Sequence, residues 1–299
     1  AGCRRIDVAP SASLDRVADA LLLDGNEDRL ALRGDRWCVA RMARLPTGTE
    51  SVRRARPAPD YRLESRQQGR LDGLELTAHE VTEPALDEVR IRVLATGLNF
   101  RDVLNALGMY PGDAGPLGSE CVGIVEAVGP GVQDLACGDM VMAITPRGFC
   151  SRVNASAALT ARCPAGMAVG DAATIPIAFL TADWALGELA QLQSGERVLI
   201  HAAAGGVGMA AVQLAHAVGA EVFATAGSER KREVLRRMGV RHIYDSRSLD
   251  FREQILRDTD GDGVHVVLNS LSDEFIPASL EVLRQDGRFI EIGKTGVWD

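Results

Sequence analysis

The segment Arg197-Val-Leu-Ile-His-Ala-Ala-Ala-Gly-Gly-Val-Gly-Met-Ala-Ala211 runs from an apolar strand through a glycine turn straight into an amphipathic helix. Its spacing, Ala203-x-Gly205-x-x-Gly208, is the dinucleotide-binding fingerprint with alanine in the first glycine position. Gly205 lets backbone approach a pyrophosphate, and Gly208 lets the helix pack closely on the strand. The helix N-terminus adds N–H donors and partial positive charge, drawn here from Gly206, Val207 and Gly208. A strand over Arg197–His201, a helix over Val207–Val218 and a second strand over Glu221–Thr225 supply the context that separates this motif from a glycine turn in some other α/β domain.

The rhythm downstream of Phe179 extends the pattern. Strands are predicted at Val198–Ile200, Val222–Thr225, Ile243–Asp245, Val264–Leu268 and Phe289–Ile292, with helices at Arg230–Met238, Asp250–Arg257 and Phe275–Leu283 between them. That alternation predicts an α/β fold with a Rossmann doubly wound parallel sheet over 179–299, holding five strands where the complete fold has six. Residues 61–178 read differently. Short strands at Leu74–Thr77, Glu88–Thr96, Cys121–Val128, Met140–Ile144 and Cys150–Val153, separated by glycine and proline turns, predict a β-rich, partly closed barrel domain. Before them, 1–60 is expected to be an upstream segment with a helix (Leu14–Leu22), two strands (Arg29–Leu32 and Trp37–Ala40) and a basic, proline-punctuated linker at 52–60 that reads as a solvated loop.

A length of 299 residues with 46% hydrophobic and 25% charged content supports two domains with cores of their own. The net charge of −8 argues against a nucleic-acid or membrane partner, and no apolar run approaches the roughly 20 residues that span a bilayer. Residues 1–25 lack the features of a signal peptide, and the six cysteines are scattered without paired spacing, so a cytoplasmic protein with reduced thiols is expected. The opening Ala1-Gly2-Cys3, without an initiator methionine, suggests a fragment of something longer.

A β-rich domain followed by a Rossmann domain carrying Ala-Gly-Gly-Val-Gly resembles the medium-chain dehydrogenase/reductase superfamily, whose first domain is GroES-like. More specifically, Gly97-Leu-Asn-Phe-Arg-Asp-Val-Leu-Asn-Ala-Leu-Gly-Met-Tyr-Pro-Gly112, the run from His201 to Ala215, Val267-Leu-Asn-Ser-Leu271 and Gly287-Arg-Phe-Ile-Glu-Ile-Gly-Lys-Thr295 resemble enoylreductase domains of modular polyketide synthases and animal-type fatty acid synthases. The resemblance covers about Leu71 to Asp299, while Leu14–Leu45 is similar to the end of the ketoreductase-like structural segment upstream of such domains. It implies NADPH-dependent reduction of an α,β-unsaturated acyl thioester on an acyl carrier protein, with neighbouring synthase domains as partners. The family's barrel is closed by a segment returning after the Rossmann domain, which this sequence does not include.

Zinc-dependent members of the superfamily place a cysteine in Gly-x-Cys-x-x-Asp and a histidine in Gly-His-Glu. Here those positions read Asn99-Phe-Arg-Asp102 and Gly118-Ser-Glu120, so no metal is expected. For the cofactor, an NAD site wants an acidic residue about 20 residues past the glycines. This chain has Thr225-Ala-Gly-Ser-Glu-Arg-Lys-Arg232 there, which favours a 2′-phosphate and hence NADPH. Expected cofactor contacts are Ala203, Gly205, Gly206, Val207, Gly208, Thr225, Ser228, Lys231, Arg247, Asn269 and Ser270, with Glu229 as an opposing charge. By resemblance Lys294 is the proton donor to the α-carbon, beside its reading as a surface lysine beyond a strand end, and Asn99 lies near the nicotinamide, beside its reading as a turn residue that bonds its own backbone, while Asp183 is a candidate for proton delivery beside its reading as a helix-dipole partner. His201 reads as packed rather than catalytic. Tyr110 reads as a substrate-mouth or loop-packing residue, and Trp184 and the methionines as core. Three alternatives stand beside the main reading: a quinone oxidoreductase, an enoylreductase homologue that closes a cyclopropane, and a non-catalytic NADPH-binding module.

Overall fold

The computed structural model describes residues 58–293 and the strands at 5–8, 29–33 and 36–39. The chain divides into two compact units, Ala1–Ala55 and Arg56–Asp299. In the first, β1 (Arg5–Val8) pairs parallel with β2 (Arg29–Arg33), which pairs antiparallel with β3 (Arg36–Val39). The expected helix Leu14–Leu22 lies outside the described residues.

The second unit opens with a hairpin, β4 (Tyr61–Ser65) and β5 (Leu74–Ala78). An antiparallel sheet follows, built from β6 (Glu88–Ala95), β7 (Glu120–Val128), β8 (Met140–Ile144), β9 (Arg152–Ser156) and β10 (Thr160–Arg162) in the order β10-β8-β7-β6-β9. Alternation decides its core. Val89 and Ile91 of β6 turn inward onto Cys121, Val125, Val141, Ala143, Val153 and Ala155, all buried. The helix α1 (Phe100–Ala106) lies between β6 and β7 in the chain. Three strands lie outside the sequence expectation: β1 of the first unit, and here β4, half-buried at every position, and β10, three residues long, neither of which shows a buried stripe. The predicted strand at Cys150–Val153 begins at Arg152 instead, since Cys150 makes an isolated bridge to Arg62 of the hairpin.

After α2 (Val169–Ala172), α3 (Pro176–Asp183) runs on into a π-helical turn over Trp184–Leu189. The expected domain boundary at 178/179 falls inside α3, so the junction is a continuous helix. Five strands then form a wholly parallel sheet: β11 (Arg197–Ile200), β12 (Glu221–Thr225), β13 (His242–Tyr244), β14 (Val264–Asn269) and β15 (Leu283–Glu291), ordered β13-β12-β11-β14-β15. Helices α4 (Gly206–Val218), α5 (Glu229–Arg237), α6 (Phe251–Asp258) and α7 (Phe275–Glu281) connect them.

Both faces of the sheet are covered. Val198, Ile200, Val222 and Leu268 pack with Ala182, Leu186, Ala211 and Val212 on one side, while Leu199, Phe223 and Val267 pack with Phe251, Ile255 and Ala278 on the other. This is the doubly wound arrangement read from the sequence. Strand β15 begins at Leu283 rather than Phe289, because the chain re-enters the sheet opposite Val264 and passes an irregularity before Arg288 pairs with Val266. Chain order reverses between β11 and β14, and the crevice outside their carboxyl ends is where such sheets hold ligands.

Candidate active site

Strand β11 leaves the sheet at His201, and Ala202 adopts a left-handed φ of 47°. Gly205 N–H returns to Ala202 O at 2.8 Å, and α4 starts at Gly206 with no side chain capping it. The first-turn N–H groups of Gly206, Val207 and Gly208 therefore have no partner within the helix. The glycines differ in role. A Cβ on Gly208 would lie 2.6 Å from Ala202 O and from Ala203 Cα, whereas one on Gly206 would meet nothing within 4 Å. Gly208 serves helix-on-strand packing, and Gly206 faces open space. An open, uncapped, donor-lined turn fits a dinucleotide pyrophosphate.

Three expected contact residues prove to be internal. Ala203, Thr225 and Asn269 are wholly buried. Thr225 Oγ1 lies 3.0 Å from His201 Nδ1 and accepts from Ala202 N–H at 3.3 Å. Asn269 donates through Nδ2 to Leu271 O (2.7 Å) and Glu291 Oε2 (2.6 Å) and accepts from Leu271 N–H. These residues shape the crevice from beneath and present no surface to a ligand. Ser270, next in sequence, differs: its Oγ is buried without a hydrogen-bond partner. Lys294 lies outside the described residues.

At the β12–α5 junction, Ser228 caps α5, its Oγ accepting from Lys231 N–H at 3.4 Å. Glu229 is not an opposing charge in practice. Arg236 (2.7 Å) and Arg232 (3.0 Å) both bond its carboxylate and hold it below the usual carboxylate range. Arg232 also donates to Ala226 O, so this cation is occupied. Lys231 and Arg247 are both exposed, and a Cβ on Gly227 would sit 3.2 Å from Arg247 Nε. The Ser228 hydroxyl and these two cations flank one glycine, an arrangement suited to a phosphate.

On the barrel side, Asn99 precedes α1, and its backbone N–H donates to Asp102 Oδ2 at 3.0 Å. Its side-chain amide donates to Glu120 Oε1 at 2.7 Å, and Ile177 N–H of α3 donates to Glu120 Oε2 at 2.8 Å. Glu120 is buried, and desolvation raises its pKa despite those two donors. One carboxylate thus ties β7 and the loop before α1 to the start of α3. Asp102, also buried, accepts from Gly118 N–H at 2.9 Å, and Arg101 donates to Ser119 Oγ and Ala114 O and lies over the Tyr110 ring. An amide held by a carboxylate, and a hydroxyl held by a guanidinium, do not make a zinc donor set. No group of three His, Cys, Asp or Glu side chains that could hold a metal occurs among the described residues.

Large apolar side chains stay exposed around this junction: Leu98 and Phe100 beside Asn99, Leu180 on α3, and Trp184 one turn later at the start of the π-helical turn. Trp184, read from the sequence as core, is 58% exposed. Asp183 is exposed beside it, where α3 becomes the π turn, a distortion concentrated at functional sites. Sequence reasoning passed over Glu120, Asp102 and Glu291. An acidic residue inside an otherwise apolar strand start, Glu120-Cys-Val-Gly-Ile, was the available signal for the first.

Two family models match the chain: "Alcohol dehydrogenase GroES-like domain" over residues 85–181 and "Zinc-binding dehydrogenase" over 206–297. Among curated proteins, a phenolphthiocerol/phthiocerol polyketide synthase of Mycobacterium tuberculosis is 44% identical across 98% of this chain, which spans 14% of that protein's length. Among solved structures, the CurK enoyl reductase is 46% identical with a TM-score of 0.77, over 80% of this chain and 76% of that one. The Escherichia coli quinone oxidoreductase complexed with NADPH is 30% identical with a TM-score of 0.73, over 80% of this chain and 75% of that one.

Proposed function

This chain belongs to the enoyl reductases of polyketide synthases, within the medium-chain dehydrogenase/reductase superfamily of oxidoreductases, and from that premise we propose that it reduces an α,β-unsaturated acyl thioester on an acyl carrier protein, using NADPH. The observation that carries this reading is the chemical opposition of the two sides of the site: N–H donors, a hydroxyl and exposed cations around the glycine turn, and exposed apolar side chains around Asn99.

When bound, NADPH supplies a hydride to the β-carbon of the enoyl thioester. The chain's own residues do the rest. First-turn N–H groups of Gly206, Val207 and Gly208 hold the pyrophosphate, and Ser228, Lys231 and Arg247 hold the 2′-phosphate. The unpartnered Ser270 hydroxyl at the end of β14 gives the cofactor a further hydrogen bond. Asn99, its amide fixed by Glu120, orients the reacting groups, and Lys294 holds the proton for the α-carbon, with Asp183 as a second acid. Leu98, Phe100, Leu180 and Trp184 exclude water from the acyl chain. The acyl carrier protein and neighbouring synthase domains are the partners, in the cytoplasm. No helix among the described residues is long and apolar enough to cross a membrane.

The quinone oxidoreductase reading is weaker, since identity is 46% to the enoyl reductase and 30% to the quinone enzyme. The test is oxidation of NADPH, with NADH as control, by the chain and a trans-2-enoyl pantetheine thioester. NADPH-selective formation of saturated thioester is expected. Faster turnover of small quinones, a cyclopropane product from a thioester with a γ-leaving group, or cofactor binding without turnover would each replace the proposal with the corresponding alternative. Lys294→Met is expected to lower kcat about a hundredfold, the scale of a lost general acid.

A further inference from the structure

Beneath the glycine turn lies a continuous run of hydrogen bonds. Ala202 N–H reaches Thr225 Oγ1 at 3.3 Å, and Thr225 Oγ1 lies 3.0 Å from His201 Nδ1. On the far side His201 Nε2 lies 2.8 Å from Ser279 Oγ, which is 2.6 Å from Phe275 O. Thr225, His201 and Ser279 are 0%, 3% and 0% exposed in that order, so water does not compete for them.

The two ends fix the direction of every proton. A backbone N–H only donates, a carbonyl only accepts, and each hydroxyl has one hydrogen. Ser279 gives its hydrogen to Phe275 O, so its oxygen accepts from His201, which places the imidazole proton on Nε2. Burial keeps the ring neutral, with its pKa pushed down to about 4, and Phe251 meets it edge-on at 5.1 Å. Nδ1 is then a lone pair, and the Thr225 hydroxyl serves it. Thr225 in turn accepts from Ala202 N–H, the residue held at positive φ.

This run crosses the sheet at its switch point. Thr225 ends β12, His201 follows β11, and Ser279 stands on α7, which the chain enters from the loop beginning at Ser270. We propose that His201 is a positioning residue for the cofactor: through a relay with one proton order it fixes Ala202 at the root of the pyrophosphate turn and ties that turn to α7. The inference rests on the NADPH reading above and adds to it the device that holds the turn in shape. His201 touches neither cofactor nor substrate in this role.

Two measurements test it on the whole chain. In 15N NMR of the wild-type protein, His201 is expected as the Nε2–H tautomer alone between pH 6 and 8; an Nδ1–H tautomer or a protonated ring there overturns the relay. His201→Leu removes both bonds, whereas His201→Gln keeps an amide donor for Ser279. KM for NADPH is expected to rise about tenfold in His201→Leu and about threefold in His201→Gln, with kcat at saturating NADPH within about twofold of wild type. An unchanged KM for NADPH in folded His201→Leu, or a loss in kcat alone, overturns the positioning role. If the wild type fails to bind NADPH, the functional reading fails and the positioning role with it, while the tautomer still decides whether the relay exists.

Discussion

Around the glycine turn, the polar groups a ligand would meet are backbone N–H donors, the Ser228 hydroxyl and two exposed cations, while the Thr225 and Asn269 side chains are folded underneath. Around Asn99 the arrangement is inverted. Polar side chains are again internal, with Asn99, Asp102 and Glu120 satisfying one another, but what remains at the surface is Leu98, Phe100, Leu180 and Trp184. On both sides buried polar side chains such as Thr225, Asn269, Asp102 and Glu120 go into holding shape, because an unmade buried hydrogen bond costs about 1–3 kcal/mol. They differ in what the shape exposes, and so one side suits a multiply charged dinucleotide and the other an acyl chain.

The largest effect is expected at Gly208, where the helix meets the strand most closely. Gly208→Ala pushes a methyl group into backbone that cannot yield, and is expected to weaken NADPH binding on the order of a hundredfold, the equivalent of ~3 kcal/mol of overpacking. Gly206→Ala, with nothing within 4 Å, is expected to keep the wild-type Tm while still weakening NADPH in a fluorescence titration. Equal Tm losses for the two variants would contradict the division between packing glycine and open glycine.

Next in size is the pH response of the buried relay. The pKa of His201 is depressed by burial in the folded state, to about 4 from its ordinary value of 6.5, so the unfolded chain binds the extra proton first. Its stabilising contribution is present above pH 6.5 and is lost as pH falls toward 4, amounting to about 2 kcal/mol between pH 7 and pH 5. Urea titrations at those two pH values should show a loss smaller by that amount in His201→Gln. Identical losses in the two proteins would mean that the imidazole is hydrated or charged in the fold.

A smaller effect separates the two sides by ligand. Lys231→Ala and Arg247→Ala are each expected to raise KM for NADPH about tenfold and leave that for NADH within about twofold, as befits one lost charge-assisted hydrogen bond. Trp184→Ala should have the mildest effect, raising KM about fivefold for a ten-carbon enoyl thioester and less than about twofold for the four-carbon one, in proportion to apolar area covered. A reversed pattern, with Trp184 governing cofactor and Lys231 governing acyl chain, would overturn the assignment of the two sides.

Much of the fold was legible because its signals are local. The strand, glycine turn and helix from Arg197 to Val218 are written in adjacent residues, and alternation in β6 marks which side chains face inward. Strands β4 and β10 were missed for the same physical reason, since a strand without a buried stripe leaves no period to read. In the site, the motif placed Gly205, Gly206 and Gly208 at the turn, and Ser228 and Lys231 at the head of α5, where the structure has them.

The sequence alone determined those parts of the backbone that sterics and hydrophobic period between near neighbours control: the strands with a buried face, the place of the glycine turn, and the order in which strands and helices alternate after it. Only the tertiary structure decided what the side chains do. Glu120 finds Ile177 at a separation of 57 residues and His201 finds Ser279 at 78, and Glu229 is neutralised by Arg236 only once α5 has coiled. Whether a polar group serves a ligand or a neighbour depends on partners that folding alone brings within about 3 Å, and for that reason Thr225 and Asn269 could be placed at the crevice from their positions but not seen to face away from it.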